Sequence, residues 1–166
     1  MNAYLGLGSN LGDRFRNLSE AVLRLNKVDG IEVQKISSVY ETDPVGDSLQ
    51  PKYLNAAIQV ETALDARDLL KACMAVERDM GRVRHERWES RVIDIDVLFY
   101  DDAVMGSKEL TLPHPLLHER EFVLRPLADI APDLVHPMLE KSVAQLLEEV
   151  EISEGVERMD DLSLSV

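Results

Sequence analysis

With 166 residues, 45% of them hydrophobic and 30% charged, the chain is sized for one domain with its own core and is neither disordered nor fibrous in composition. Its net charge of −13, from 31 acidic against 18 basic residues, repels polyanions, so no nucleic-acid partner is expected. No apolar run approaches the roughly 20 residues of a membrane helix, and Met1-Asn2-Ala3-Tyr4 lacks a basic segment followed by an apolar one, so the expectation is a cytoplasmic protein with no membrane partner.

Ala3 to Leu7 reads as a short strand entering a glycine-rich turn, Gly6-Leu7-Gly8-Ser9-Asn10-Leu11-Gly12. That turn lacks the Gly-Lys-Ser/Thr ending of a phosphate loop, and its glycines are not spaced as in a dinucleotide fingerprint, so its reading is structural. Phe15, Leu18, Val22 and Leu25 step by three and four, which predicts a helix with one buried stripe, broken at Gly30. Ile31 to Tyr40 is rich in β-branched residues and reads as one strand. Thr42 to Lys52, with Pro44, Gly46 and Pro51, reads as a loop long enough to be functional.

Tyr53 to Thr62 alternates, with Leu54, Ala56, Ile58 and Val60 on one face and Tyr53, Asn55 and Gln59 on the other. Asp65 is placed to cap a helix carrying Leu69, Leu70, Cys73, Val76 and Met80 and closed by Gly81. Cys73, the single cysteine, falls at helical spacing among those residues and reads as a small buried hydrophobe. Arg82 to Arg91 is a polar loop, and Val92 to Tyr100 is the next strand. Leu110 to Leu112 forms a short strand stopped by Pro113. Glu119 to Ile130 is helical despite Pro126, and Ser142 caps a helix over Val143 to Val150. The order predicts one domain over 1–166, an α+β sandwich of a mainly antiparallel sheet with helices packed on it, ending in an acidic tail at 151–166.

Two patterns carry chemistry. In Ile93-Asp94-Ile95-Asp96-Val97 the side chains alternate, so both aspartates leave one face of the strand while the apolar residues enter the core. Their Cα atoms are then about 6 to 7 Å apart, given a rise of about 3.3 Å per residue, close enough to share or flank a metal ion. Hard carboxylate oxygens suit magnesium held together with substrate phosphates, although a solvated edge strand has the same pattern. Immediately before them stand Arg82, Arg84, Arg87 and Arg91, with His85 and Trp88, a locally basic stretch on an acidic protein. Alone, such a loop is usually solvated and paired with carboxylates such as Glu86 and Glu89. Directly preceding a carboxylate pair, it matches a triphosphate, because arginine grips phosphate oxygens from the side opposite a metal. His118 and His136 have no partner at ligand spacing, whereas His114, between Pro113 and Pro115, lies where it can aim at phosphate.

These pieces together resemble the 6-hydroxymethyl-7,8-dihydropterin pyrophosphokinase family from about Tyr4 to His136. The most specific segments are Gly8-Ser9-Asn10-Leu11-Gly12, Gln50-Pro51-x-Tyr53-Leu54-Asn55-Ala56, and Glu77 followed by Gly81-Arg82-x-Arg84. To these are added Arg87-Trp88-x-x-Arg91-x-x-Asp94-x-Asp96, Pro113-His114-Pro115 and Glu119-Arg120-x-Phe122-Val123-Leu124. Glu89-Ser90 stands where many relatives have Gly-Pro, and Arg84 to Trp88 is one residue shorter than in some. The side chains of Asp43-Pro44 and the segment after Val150 fall outside what the resemblance carries over.

The resemblance implies a ferredoxin-like α/β/α fold and transfer of the β,γ-pyrophosphoryl group of ATP to the pterin hydroxymethyl oxygen, releasing AMP, by a chain expected to be a monomer. It implies that Asp94 and Asp96 hold two magnesium ions, and that Arg82 and Arg91 act on the phosphates as catalytic groups. Glu77, Arg84, Trp88, Val97, Thr111, His114 and Arg120 are implied on the nucleotide side, with Arg84 and Trp88 on a closing loop. The pterin is implied between Tyr53 and Phe122, with Asn55 on its edge and the backbone from Thr42 to Val45 completing the pocket. Two other readings share these features: nucleotidyl transfer or cyclisation on a similar sheet, and a regulatory domain that binds a small ligand without turnover.

Overall fold

The structure is a computed structural model that describes residues 1–44, 49–81, 92–152 and 155–166. The chain runs β1 (Asn2–Ser9), α1 (Arg14–Asn26), β2 (Ile31–Ile36), β3 (Tyr40–Thr42), β4 (Tyr53–Thr62), α2 (Ala66–Asp79), β5 (Asp94–Tyr100), β6 (Met105–Gly106), β7 (Thr111–Leu112), a 3-10 turn (Leu117–Glu119), α3 (Glu121–Ile130), α4 (Val143–Glu149) and β8 (Val156–Arg158).

Three of the four helices start at a side-chain cap. Asp13 caps α1 by accepting the Arg16 N–H, and the helix buries Leu18, Ala21, Val22 and Leu25 on one stripe. The chain then reverses through Gly30, whose φ of 92° favours glycine. Asp65 caps α2 by accepting the Asp68 N–H, and Leu69, Cys73 and Val76 form its buried face. Ser142 and Gln145 form a reciprocal capping box at the start of α4.

The main sheet has the order β5-β1-β4-β3-β8, with β2 also on β4, and every pair is antiparallel. Helices α1 and α2 cover one face, packing on Leu5, Leu7, Leu54, Ile58, Val60, Ile93, Ile95 and Val97. Helices α3 and α4 cover the other, over Tyr4, Ala57, Leu98 and Phe99. This is the ferredoxin-like α/β/α sandwich implied by the family resemblance. A fully buried leucine contributes about 1.5–3 kcal/mol, so the two apolar layers far outweigh the local capping terms.

Three elements differ from the sequence reading. β1 runs on to Ser9, so Gly6 and Gly8 belong to the strand and not to a turn. The expected single strand Ile31 to Tyr40 is broken between β2 and β3, where the Ser37 hydroxyl accepts the Ala57 N–H at 2.8 Å and replaces a ladder bond. The acidic tail contributes β8 to the sheet edge. In β5 the pairing shifts from Leu5↔Val97 to Tyr4↔Phe99, a bulge that turns both Leu98 and Phe99 toward α3 and α4.

Candidate active site

The site grows out of strand parity. On β1, Gly6 lies opposite Asp96 of β5 and Ala57 of β4, while Gly8 lies opposite Asp94 and Asn55. Directly opposed residues share a face, so Asp94, Gly8 and Asn55 form one row across the sheet, and Asp96, Gly6 and Ala57 the next. The two glycines leave a flat floor between the aspartates on one side and Asn55 on the other. A cavity of about 890 Å³ opens over that floor.

Its walls gather residues from distant parts of the chain. Thr42, Tyr53, Asn55 and Phe122 line one part, and Glu77, Asp94, Asp96, His114 and Arg120 line another. The Asn55 amide donates to Thr42 Oγ1 at 2.6 Å, which fixes its orientation. The Arg120 guanidinium lies 5.6 Å from the centre of the Phe122 ring, within cation–π range. Asn10, buried at 1% exposure, donates its amide to Gln50 Oε1 and Pro51 O, so the Gly-Ser-Asn segment holds the entry to β4.

Charge is organised around β5. Ile93, Ile95 and Val97 are buried while Asp94 and Asp96 face the cavity, as parity predicts. Glu77, only 5% exposed, accepts the Ile95 N–H at 2.8 Å. His114 is anchored by its own N–H to Leu98 O at 2.9 Å, and its Nδ1 accepts the Leu116 N–H. Burial lowers the His114 pKa from its ordinary value; Asp96 opposes this and Arg120 adds to it. Burial pushes the Cys73 thiol far up, with Glu77 and Asp96 reinforcing, so it stays protonated and inert.

Among the described residues, no three His, Cys, Asp or Glu side chains form a metal-ligating group. The donor set offered by Asp94 and Asp96 is nevertheless of the right kind for magnesium, two hard carboxylates on one strand face beside a cavity. Arg82, Arg84, Trp88, Arg91 and Val45 lie outside the described residues. Two other expected residues are not brought to the cavity wall: the Val97 side chain is in the core under α1 and α2, and Thr111 is exposed on β7. Sequence reading missed Gly6 and Gly8, whose signal was their equal parity with the aspartates across the sheet, and Lys108, an exposed cation at the rim.

Residues 4–132 match the family described as 7,8-dihydro-6-hydroxymethylpterin-pyrophosphokinase (HPPK). The chain belongs to this family. A 2-amino-4-hydroxy-6-hydroxymethyldihydropteridine pyrophosphokinase of Methylorubrum extorquens is 47% identical over 158 residues, covering 95% of this chain and 98% of that protein. The folic acid synthesis protein fol1 of Schizosaccharomyces pombe is 42% identical over 93% of this chain, which spans only 21% of that longer protein. The crystal structure of Plasmodium falciparum HPPK-DHPS with pteroate superposes at a TM-score of 0.75 and 18% identity, over 95% of this chain and 45% of that one, and supports the fold. No helix among the described residues of this HPPK-family chain is long and apolar enough to cross a membrane.

Proposed function

We propose that this chain transfers the β,γ-pyrophosphoryl group of ATP to the hydroxymethyl oxygen of 6-hydroxymethyl-7,8-dihydropterin, releasing AMP, as a step of folate synthesis. The observation that carries the reading is the glycine-floored row that sets Asp94 opposite Asn55 in one cavity, in a chain of the HPPK family. In the reaction the pterin oxygen bonds to the β-phosphorus as the bond to the α-phosphate oxygen breaks, and the hydroxyl proton leaves to solvent. Residues 1–166 act as one catalytic domain.

Asp94 and Asp96 would hold magnesium, which when bound neutralises phosphate charge and draws the triphosphate to the β5 side of the floor. Tyr53 and Phe122 sandwich the flat pterin, and Asn55, held by Thr42, hydrogen-bonds its edge. His114 and Arg120 supply donors toward the nucleotide, the imidazole staying neutral because burial lowers its pKa. Arg82 and Arg91 stabilise charge on the transferring group, and Arg84 and Trp88 close over it. Catalysis by this set is positioning and electrostatic stabilisation rather than proton abstraction.

The test is to supply magnesium, ATP and the hydroxymethyl dihydropterin and to follow nucleotide products with and without the pterin. AMP should appear in step with pterin consumption. ADP or a cyclic nucleotide would reject the reading, and binding of both ligands without turnover would favour a regulatory domain.

A further inference from the structure

Two segments whose side chains received no role from the family resemblance, Asp43-Pro44 and the chain after Val150, meet in the fold. β8 pairs antiparallel with β3, placing Val156 opposite Thr42 and Arg158 opposite Tyr40. The ladder extends at both ends: the Asp43 N–H donates to Gly155 O at 2.9 Å, and the Met159 N–H donates to Val39 O at 2.8 Å. Past the strand, Met159 and Leu162 pack against the main core and Leu164 is buried in it, so the segment is anchored from its far end.

Without β8, the three-residue β3 would be the exposed edge of the sheet, paired only with β4. A strand so short is weakly held when one side of its ladder is open. Yet β3 carries Thr42, whose hydroxyl orients Asn55 at 2.6 Å. Asp43 follows directly and lines the cavity. Its carboxylate is packed against Gly155: a methyl group built there would overlap it and lie 3.0 Å from Asp43 Cβ. On its other side Asp43 faces Lys52 at 3.8 Å. The Asp43 backbone and side chain are thus both set by a glycine from the opposite end of the chain.

We propose that β8 is a positioning element for the pterin wall of the cavity, acting through Gly155 on Asp43 and through Val156 on Thr42 and Asn55. This rests on the pyrophosphokinase reading above. It assigns a role to the tail that leaves the nucleotide side untouched, because β8 and β5 lie at opposite ends of the sheet path.

The test compares the full-length protein with Gly155→Ala and with Gly155→Ala combined with Asp43→Ala. Affinity for 6-hydroxymethyl-7,8-dihydropterin is titrated in the presence of α,β-methylene-ATP, and affinity for that analogue is titrated separately. Gly155→Ala should weaken pterin binding about tenfold while analogue binding stays within about twofold, and the second substitution should recover most of the loss. Unchanged pterin affinity, or an equal loss for both ligands, overturns the proposal. Thermal unfolding keeps the result decisive if Gly155→Ala folds poorly: rescue of both Tm and pterin affinity by Asp43→Ala supports the coupling, and rescue of Tm alone overturns it. A parent protein that binds no pterin overturns the proposed function itself, an outcome distinct from a parent that binds and a variant that does not change.

Discussion

The carboxylate of Glu77 accepts the backbone N–H of Ile95 at 2.8 Å, so a buried acid on α2 grips the strand immediately after Asp94. β5 ends the sheet path, and Glu77 supplies an acceptor where no strand among the described residues does. Glu77→Ala should strand that N–H in the interior at a cost of about 1–3 kcal/mol and loosen Asp94. Glu77→Gln keeps an acceptor of the same reach and should retain most of the stability. Thermal unfolding and AMP release on both variants check this; equal destabilisation by Gln and Ala would show that the charge, and not the accepted bond, is what matters.

Asp96 faces the cavity and is exposed, while its neighbours Ile95 and Val97 are in the core. Replacing Asp96 by Ala should therefore leave Tm within about 2 °C, since surface changes of this kind are usually within about 0.5 kcal/mol. Turnover should fall by at least about 10²-fold, the scale seen when one preorganised electrostatic group is removed. Near-normal AMP production at saturating magnesium would sink the metal role.

Gly8 makes a sharper demand. A Cβ at this position would lie 2.7 Å from Asn55 Oδ1 and 3.3 Å from Tyr53 Cδ1, two side chains proposed to hold the pterin. Gly8→Ala should push Asn55 off its Thr42 bond and raise the KM for the pterin by about tenfold, with a smaller effect on the KM for ATP. Gly6 is the internal control: the nearest atoms a Cβ there would meet are Leu98 carbons at 3.5 Å or more, ordinary contact distance. Equal behaviour of Gly6→Ala and Gly8→Ala would refute the steric argument.

Where the sequence was legible, a period was at work. The limits of β4 and the stripes of α1 and α2 follow from alternation and from three-and-four spacing, and Asp65 marks its helix start by a side chain that caps it. The facing of Asp94 and Asp96 came from the same period of two. Gly6 and Gly8 were opaque because glycine has no side chain to mark a face, and their density suggests a turn in isolation. The break after Ile36 was hidden because Ser37-Ser38-Val39 interrupts no apolar pattern; it arises from a side-chain bond to β4. β8 had no readable period either, since Val156-Glu157-Arg158 becomes a strand only by pairing with β3 from the other end of the chain.

Tyr40 gives a prediction in pH. Its hydroxyl donates to Asp129 Oδ2 at 2.8 Å, tying β3 to α3, and the side chain is buried. Burial, helped by the hydrogen bond and charge of Asp129, pushes its pKa up from 10.0 to about 12. The folded state therefore holds this proton more tightly than the unfolded chain does. The resulting stabilisation is fully present below pH 10 and is lost as pH rises through about 12. Tyr4 and Tyr100 are also raised by burial, so they share in the alkaline loss. Tyr40→Phe should destabilise the protein by about 0.5–1.5 kcal/mol at neutral pH and make the decline above pH 10 shallower without abolishing it. Denaturant unfolding measured from pH 8 to 11.5 on both proteins decides the matter: an unchanged alkaline slope in Tyr40→Phe would mean that the Tyr40 proton is not what couples β3 to α3.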